Sequence, residues 1–350
     1  MKDVARAAGV GLKTVSRVVN GEPGVNEPTA RRVRSAIEQL GYRRNDSARL
    51  LRSGQTASIG LVIEDVADPF YSVVTRAVEE VAARNDLLVF TGSSDERPER
   101  ERRLGMAFCA RRVEGLIIVP AAGARHEYLA PELAAGVAAV FLDRPAVGLA
   151  ADTVLSANRE GARTGVAHLI AHGHRRIACL GDVAEIHTAE QRRQGYRDAL
   201  AAAGIGHDPA LEVMQAPRIE ALAAALRRLA ALPEPPTALF TGNNVTTAHA
   251  LRALAADAPG HPLALVGFDD FPFADLLTPA VTVVAQDPAR LGRTAAELLL
   301  RRLGRADGVD PAQADPLIAA ELGADPVRVE LPTRLVPRGS GEIPPPPGTR

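Results

Sequence analysis

The amino-acid sequence predicts an all-α helix-turn-helix head at the N-terminus, followed by a larger α/β domain of two lobes. The first observation is charge: residues 1–55 hold eleven Lys or Arg and five Asp or Glu, whereas the whole chain sums to −1. The second is the alternation of short apolar runs with amphipathic stretches beyond residue 57, which is typical of parallel strands and covering helices. The head is therefore suited to phosphate groups and the remainder is not.

Length and composition set the class of protein. The 350 residues are 46% hydrophobic, enough for a small module and a large domain. We find no apolar run of about eighteen residues and no secretory leader, so we expect no membrane span, no export and a cytoplasmic protein. Cys109 and Cys179 lie far apart in apolar surroundings. They are predicted to be reduced core thiols.

The head contains two short helices joined by a tight turn. The first is predicted to end at Gly9, a residue that suits a left-handed cap. In the second helix the inward side chains are Val15, Val18 and Val19. The outward side chains are Leu12, Lys13, Ser16 and Arg17. This pattern predicts a helix-turn-helix whose second helix fits the major groove of DNA.

A third helix is predicted to complete the head. Asn26 can cap it and Pro28 suits its first turn. Its packing stripe is predicted to be Val33, Ile37 and Leu40. A small three-helix cap with no role in DNA binding is the alternative interpretation.

Changes in composition divide the chain into four parts. The predicted parts are a head at 1–44, a hinge helix and linker at 45–56, a two-lobed domain at 57–338 and a disordered tail at 339–350. The hinge is too short to hold a helix alone in water. The tail includes four consecutive prolines. Residues 304–326, rich in Gly, Asp, Pro and Ala, are predicted to be an extra surface loop.

The body is predicted to contain two consecutive sets of four strands. The predicted strands are 58–64, 87–91, 115–119, 138–142, 175–181, 211–214, 237–241 and 263–267. The predicted helices between them are 70–84, 98–111, 159–172, 188–203, 218–231 and 244–257. A further helix at 287–303 and a strand at 327–331 flank the predicted surface loop. This order indicates two similar α/β lobes, with a ligand cleft at the carboxyl ends of the strands.

Several motifs resemble those of the LacI/GalR family of bacterial transcription regulators. The head segments KDVA, AGV, TVSRVVN and LGY match the family pattern almost letter for letter. The matching body segments are 68–71, 112–118, 142–144, 173–178, 192–196, 266–270 and 331–336. The resemblance covers nearly the whole chain. It implies a periplasmic-binding-protein-like effector domain and a homodimeric repressor that binds a pseudo-palindromic operator.

The resemblance also implies DNA contacts in two segments. It makes Leu12, Lys13 and Arg17 readers of the major groove, and the guanidinium of Arg17 suits a guanine edge. The other implied DNA contacts are Thr14, Ser16, Asn20, Asn45 and Ala48. Leu51 would wedge into the minor groove and kink the DNA. Ordinary linker packing is the alternative for Leu51.

The implied effector site consists of Phe70, Tyr71, Asp143, Arg192, Asn243, Asp269 and Gln286. Carboxylates, an amide and a guanidinium can fork across neighbouring hydroxyls while an aromatic ring covers an apolar face, so a sugar or sugar derivative is the expected effector. Other interpretations remain open. Phe70 and Tyr71 could be plain core, Arg192 a surface charge, and Asp269 an acceptor for backbone amides in its turn.

The chain departs from the family pattern at the head. Gly11 stands where Ser usually caps the second helix, and Gly is a weaker cap. The family pattern begins a few residues earlier, which predicts a natural start upstream of Met1.

Two departures fall near the expected cleft. Asn244 and Ala157 stand where Asp is usual. The loss of two carboxylates predicts a ligand that is less cationic or less hydroxyl-rich than is typical, or a differently tuned hinge between the lobes.

Other functional classes have weaker support in the sequence. His172 and His174 lie two apart without nearby Cys or paired carboxylates, which is a weak metal signal. We find no nucleophile elbow, phosphate loop or catalytic carboxylate pair, so we expect neither an enzyme nor a cofactor. An activator or corepressor-dependent regulator of the same family stays open as an alternative. A solute-binding protein is disfavoured by the basic head.

Overall fold

A computed structural model describes residues 1–20, 22–42, 57–256, 263–305, 315, 317, 323 and 325–348. The chain divides into two compact units, residues 1–56 and 57–350. The predicted hinge contacts Asn45, Ala48 and Leu51 lie outside the described residues. Among the helices in the described ranges, none has the length and apolar character needed to cross a bilayer.

Residues 1–42 of the first unit, as far as they are described, form three helices: α1 (Lys2–Ala8), α2 (Leu12–Asn20) and α3 (Glu27–Gln39). Gly9 ends α1 in the left-handed conformation at φ 62°, as predicted. The Asn26 side chain accepts a hydrogen bond of 3.0 Å from the Thr29 amide and so caps α3. Val4, Val15 and Val33, at most 1% exposed, form the centre of the three-helix core.

One part of the predicted packing stripe on α3 is wrong. Val33 is buried and Ile37 packs partly against the core, but Leu40 is 49% exposed. The helix ends at Gln39, so Leu40 is its cap residue and no longer continues the stripe.

The described residues of the second unit form twelve strands. These are β1 (Ser58–Ile63), β2 (Leu88–Ser93), β3 (Gly115–Ile118), β4 (Ala138–Leu142), β5 (Asp152–Ser156), β6 (Ile177–Gly181), β7 (Glu212–Met214), β8 (Ala238–Thr241), β9 (Ala264–Phe268), β10 (Thr282–Ala285), β11 (Arg328–Leu331) and β12 (Arg334–Val336). They form two six-stranded sheets, ordered β11-β5-β4-β3-β1-β2 in lobe 1 and β12-β10-β9-β8-β6-β7 in lobe 2. All pairs are parallel except β10 with β12.

Helices cover both faces of each sheet. They are α4 (Pro69–Arg84), α5 (Pro98–Ala110), α6 (Ala130–Ala134), α7 (Asn158–Ala171), α8 (His187–Ala202), α9 (Ile219–Ala230), α10 (Asn244–Ala256) and α11 (Pro288–Arg302). In lobe 1, α4 and α11 pack on one face and α5 on the other. In lobe 2, α7 and α8 share one face while α9 and α10 share the other. The predicted two-lobed α/β architecture is confirmed.

The sequence patterns missed β5, β10 and β12, so each lobe has more strands than predicted. β5 begins with Asp152, a residue that disfavours strands. Its carboxylate is buried and accepts hydrogen bonds of 2.7 and 2.8 Å from Arg302 on α11. The contact between Asp152 and Arg302, which are distant in sequence, thus stabilises a strand that the local sequence does not predict.

The chain passes between the lobes three times, after β5, after β10 and after β11. Lobe 1 is therefore discontinuous, because α11 and β11 return to it after most of lobe 2 has been built.

The predicted disordered tail is wrong for residues 339–348, which pack onto lobe 2. Ser340 donates a hydrogen bond of 2.6 Å to the Leu265 carbonyl and accepts one of 2.9 Å from the Thr282 amide. Glu342 accepts hydrogen bonds from the Gly339 amide and the Thr282 hydroxyl. The polar groups before the proline run thus anchor the segment, although composition alone favoured disorder.

The predicted extra loop at 304–326 falls largely outside the described residues. Asp315 is described, and its side chain is buried. Its carboxylate accepts hydrogen bonds of 2.5 and 3.0 Å from Arg290 on α11. At this position the segment contacts lobe 1.

Gly195 allows α7 and α8 to pack closely, and Gly195→Ala should lower the melting temperature. A Cβ at residue 195 would lie 2.1 Å from the Arg159 carbonyl oxygen, which is backbone and cannot turn aside. Overpacking of this kind costs about 1–3 kcal/mol, so we expect thermal unfolding of this large unit to shift down by about 2–5 °C. Gly206→Ala is the matched control, because no atom lies within 4 Å of its added Cβ. Equal melting of the two variants would contradict this account of the packing.

Candidate functional site

The outer face of α2 carries the predicted major-groove contacts. Leu12 is 48% exposed and Lys13 is exposed, while Arg17 is half-buried with its Nε 4.0 Å from a Glu22 carboxylate oxygen. Val15 on the opposite face is fully buried. The helix therefore presents its polar side chains away from the core, as a recognition helix requires.

A cavity in the second unit lies between the lobes and has a volume of about 360 Å³. It is lined at the carboxyl ends of β1 and β4 in lobe 1 and of β6, β8 and β9 in lobe 2. This is the position at which open parallel sheets bind ligands, and the volume suits a small molecule.

All seven predicted effector contacts lie on the wall of this cavity: Phe70, Tyr71, Asp143, Arg192, Asn243, Asp269 and Gln286. Their role in binding remains a prediction. The rings of Phe70 and Tyr71 meet edge to face at 5.1 Å. Tyr71 belongs to the core of lobe 1 and is 4% exposed, so it combines a packing role with a place on the wall.

Arg192 is the centre of the polar network in lobe 2. Its Nε donates to Asn158 at 2.7 Å, and one terminal nitrogen donates to the Gly242 carbonyl at 2.6 Å and to Asp269 at 3.3 Å. The guanidinium also lies 3.9 Å from the ring centre of Phe268. Arg192 is 5% exposed, so the alternative of a surface charge is wrong.

Asp269 contacts side chains in the cavity. One carboxylate oxygen faces Arg192 and the other accepts a hydrogen bond of 2.5 Å from Gln286. Among the described residues, the hydrogen-bond partners of the Asp269 carboxylate are thus side chains. This disfavours the alternative role as an acceptor for backbone amides. Gln286 lies just after β10, where the chain crosses back to lobe 1.

Arg144 is the corresponding centre in lobe 1. Its terminal nitrogens donate to Glu64 at 2.8 Å, to Glu96 at 2.5 Å and to the Pro120 carbonyl at 2.8 Å. Tyr71 donates its hydroxyl to Glu64 at 3.2 Å. Burial, partly offset by Arg144 and reinforced by Glu96, raises the pKa of Glu64 to about 8. Glu64 therefore keeps its proton to a higher pH than an exposed glutamate does.

The two lobes place an aspartate at the cavity in the same manner. Asp143 after β4 and Asp269 after β9 both adopt positive φ, 66° and 70°. Their amides donate to Val154 and Val284 on the neighbouring strands, at 2.8 and 2.9 Å. Left-handed backbone is costly for residues other than glycine and concentrates at functional sites. The turn aims each carboxylate at the cleft.

A direct hydrogen bond joins the lobes across the cleft. Asn244 at the start of α10 donates to the Asp68 carboxylate at 2.8 Å, and Asp68 also caps α4 through the Phe70 amide. An aspartate at 244 would place two carboxylates together. The uncharged amide that stands here in place of the usual Asp thus permits a hydrogen bond between the lobes.

Sequence reasoning missed five charged residues on the cavity wall: Glu64, Asp65, Asp68, Arg144 and Asp182. Asp68 and Arg144 stand in matched motifs, whereas Glu64 directly follows β1 and Asp182 directly follows β6. A rule that selects every charged residue just beyond a predicted strand would have found Glu64, Arg144 and Asp182.

The histidine pair, His172 and His174, has a structural role in lobe 2. His174 is fully buried, and its ring nitrogens lie 2.8 Å from the Thr237 hydroxyl and 2.8 Å from the Ile343 carbonyl. In the described part of the chain no group of three or more His, Cys, Asp or Glu is placed to hold a metal ion. Cys109 and Cys179 are buried free thiols, and burial raises the pKa of Cys109 to about 11.

Two segments of the chain match known families. Residues 1–45 match the bacterial regulatory proteins of the lacI family, and residues 166–341 match the periplasmic binding protein-like domain. The chain is 35% identical over 307 residues to the HTH-type transcriptional regulator GalR of Escherichia coli K12, covering 86% of this chain and 88% of that protein. It is 30% identical over 305 residues to the ribose operon repressor of the same strain, covering 87% and 92%.

Solved structures agree with these matches. The Lac repressor dimer bound to operator and the anti-inducer ONPF superimposes with a TM-score of 0.80 at 26% identity, covering 97% of this chain and 98% of that chain. The complex of the transcriptional regulator CelR with cellobiose gives a TM-score of 0.67 at 30% identity, with the same two coverages.

Glu64 should make stability depend on pH. The folded protein retains a proton on Glu64 up to about pH 8, whereas the unfolded chain releases it at the ordinary carboxyl pKa, so stability falls as pH rises through this window. Glu64→Gln keeps an acceptor for Arg144 and removes the ionisation. We expect its melting temperature to fall less than that of the wild type between about pH 5 and 8.

The control is Glu80→Gln, which alters an exposed carboxylate paired with Arg76 on α4. Melting should be followed by circular dichroism across the same pH series. Parallel pH profiles for the wild type and Glu64→Gln would rule out a protonated Glu64.

Proposed function

The chain belongs to the LacI family of bacterial regulatory proteins, and we propose that it represses sugar-utilisation genes until a small sugar-like effector releases it from operator DNA. The observation that carries this proposal is the outer face of α2. Leu12, Lys13 and Arg17 project from a helix whose other face holds the three-helix core. Such a helix can enter the major groove, where an arginine reads a guanine edge by two hydrogen bonds.

The cavity between the lobes would receive the effector. One relative is named as a repressor of the ribose operon, and one solved relative is a complex with cellobiose. Here Asp143, Asp269, Gln286 and Asn243 offer acceptors and donors, while Phe70 offers an apolar face. A bound ligand that touches both walls would change the angle between the lobes at the three crossings.

The regulatory coupling is then a shift between two arrangements of the lobes. The effector can act only by binding one arrangement more tightly than the other. Reciprocity requires operator DNA to weaken effector binding by the same factor by which effector weakens DNA binding. A corepressor-dependent regulator would use the same head and cavity, but its effector would strengthen DNA binding. An activator would use them to raise transcription.

We propose a homodimer, as the Lac repressor relative is named. Large apolar side chains are exposed on the edge strand β2 and on the loop after β9: Leu88, Phe90, Phe273, Leu276 and Leu277. Exposed apolar groups of this size commonly mark interfaces. A two-fold dimer would place two heads on two operator half-sites.

The proposal includes a cytoplasmic location and no catalytic role. The relatives are transcription regulators. A protein that reads operator DNA acts where the chromosome lies, and the solute-binding alternative leaves the basic head without a purpose.

Selection of bound genomic DNA by the purified chain tests the function. We expect a palindromic site of about 14–20 base pairs that one sugar of a panel releases. Tighter binding on addition of a sugar would favour the corepressor alternative. Weak, salt-sensitive and sequence-independent binding would refute the proposal.

Arg17→Ala should lower affinity for the selected operator by about 10- to 100-fold and relax its sequence preference, because one two-pronged base contact contributes about 1–3 kcal/mol. The control is Arg34→Ala on α3, where an exposed arginine pairs with Glu27 at 3.3 Å. Fluorescence anisotropy with labelled operator measures both. Equal losses in the two variants would show that Arg17 acts only through charge.

Leu276→Asp should convert the dimer to a monomer. The side chain is 72% exposed, so the change costs the folded protomer little, yet it would place a charge in the proposed interface. Sedimentation velocity should give about half the wild-type mass. Val147→Asp is the control at a half-exposed valine outside the two apolar segments. A dimeric Leu276→Asp protein would exclude the loop after β9 from the interface.

A further inference from the structure

Two helix termini meet across the cleft between the lobes. Asp68 directly precedes α4 in lobe 1, and its Oδ1 accepts hydrogen bonds of 2.8 Å from the Phe70 amide and 2.8 Å from the side-chain amide of Asn244. Asn244 is the first residue of α10 in lobe 2, and its own Oδ1 accepts a hydrogen bond of 2.8 Å from the Val245 amide. Each side chain is therefore fixed within its own lobe as well as bonded to the other.

The position of this contact makes it sensitive to the angle between the lobes. Asp68 and Asn244 are 176 residues apart in sequence, and none of the three crossings begins or ends at α4 or α10. By contrast, the hydrogen bond of 2.8 Å from the Ala157 amide to the Leu331 carbonyl lies at the crossings themselves. A rotation of the lobes about the crossings moves α4 relative to α10. Such a rotation must stretch or break the bond between Asp68 and Asn244.

The chemistry of the contact favours a strong hydrogen bond. Asn244 is 6% exposed and Asp68 is half-buried. Burial raises the pKa of Asp68, although the hydrogen bonds from the Phe70 amide and from Asn244 act in the opposite direction. Hydrogen bonds to an ionised acceptor are roughly twice as strong as those between neutral groups, and shelter from water strengthens them further.

We propose that Asp68 and Asn244 form a latch, which holds the two lobes at the angle seen in this structure. The asparagine at residue 244, where the family usually has an aspartate, allows the latch because an aspartate would place a second carboxylate beside Asp68. Both residues lie on the cavity wall, so a molecule bound there would act either with the latch or against it. The latch is a property of the two lobes and does not depend on the proposed function.

Distances between fluorophores on the two lobes test the latch. One label is placed on α4 of lobe 1 by Glu80→Cys, and the second on lobe 2 either by Glu220→Cys on α9 or by Arg252→Cys on α10. All three side chains are exposed, and the two native cysteines are buried. Single-molecule energy transfer in full chains, diluted with unlabelled chain, then reports the distance between the lobes of one chain.

Loss of the latch should change the distance between the lobes. The wild type should give a narrow distance distribution for both label pairs. Asn244→Ala removes the donor, while Asn243 still caps α10 by accepting a hydrogen bond of 2.7 Å from the Thr246 amide. We expect the ratio of chains at other distances to chains at the wild-type distance to rise about 10-fold or more. Asn244→Asp should raise it further, because its carboxylate would lie beside that of Asp68.

Two further variants distinguish the latch from a general loss of stability. Asn85→Ala removes an amide hydrogen bond of 3.0 Å to the Val81 carbonyl within lobe 1, so the distances should not change. The exchanged pair, Asp68→Asn together with Asn244→Asp, reverses donor and acceptor. Asparagine caps helices as well as aspartate does, so α4 keeps its cap. The exchanged pair should restore the wild-type distribution.

Melting curves should confirm that each variant is folded, and Asn244→Ala alone carries the test if the exchanged pair does not fold. Wild-type distances in Asn244→Ala at both label pairs would overturn the latch. The same conclusion would follow from a folded exchanged pair that stays at other distances, or from an equal change in Asn85→Ala. The measurement needs neither DNA nor sugar, so its result is independent of whether the chain is a repressor.

Discussion

The parallel direction of the strands determines where the polar chemistry of this protein collects. In each lobe the carboxyl ends of adjacent strands point to the same edge of the sheet, and the two edges face one another. The residues that follow β1, β4, β6, β8 and β9 therefore meet in one cavity, although they are far apart in sequence. Since apolar helices cover both faces of each sheet, this edge is where charged side chains can gather. The strand topology therefore sets the position of the cleft, and the individual side chains set its chemistry.

Within that cleft, each lobe compensates the charge of one buried arginine. A buried arginine is tolerable only when carboxylates and carbonyl oxygens surround it. Arg192 meets this requirement in lobe 2 and Arg144 in lobe 1, each with partners from several different elements. The arginines thereby fix the positions of the loops that bear the aspartates. The lobes differ in how their aspartates are bonded: both carboxylate oxygens of Asp269 have side-chain partners, whereas one oxygen of Asp143 has no donor among the described residues.

Local patterns predicted the helices and the longer strands well, because amphipathic periodicity and caps such as Gly9 and Asn26 are properties of neighbouring residues. They failed at β5 and at the C-terminal segment, where partners distant in sequence decide. Asp152 is stabilised by Arg302, and Ser340 by Leu265 and Thr282. The family resemblance selected seven residues that lie on the cavity wall. Only the structure shows that one of them, Arg192, is buried and is not a surface charge. The charge balance of the cavity also requires the fold, since Glu64 and Asp182 belong to no recognised motif.

The three crossings between the lobes have a consequence for how the protein is made. Lobe 1 lacks α11 and β11 until the ribosome has passed residue 331, and lobe 2 lacks β12 and the anchoring residues Ser340 and Glu342 until the ribosome has passed residue 342. Lobe 1 therefore cannot complete its core before most of lobe 2 has been synthesised, in contrast to domains that fold one after another from the N-terminus. Two unfinished sheets coexist on the nascent chain for this period, with open edges that other chains can pair with. Protection of these edges during synthesis matters more for this topology than for a protein whose domains are each continuous in sequence.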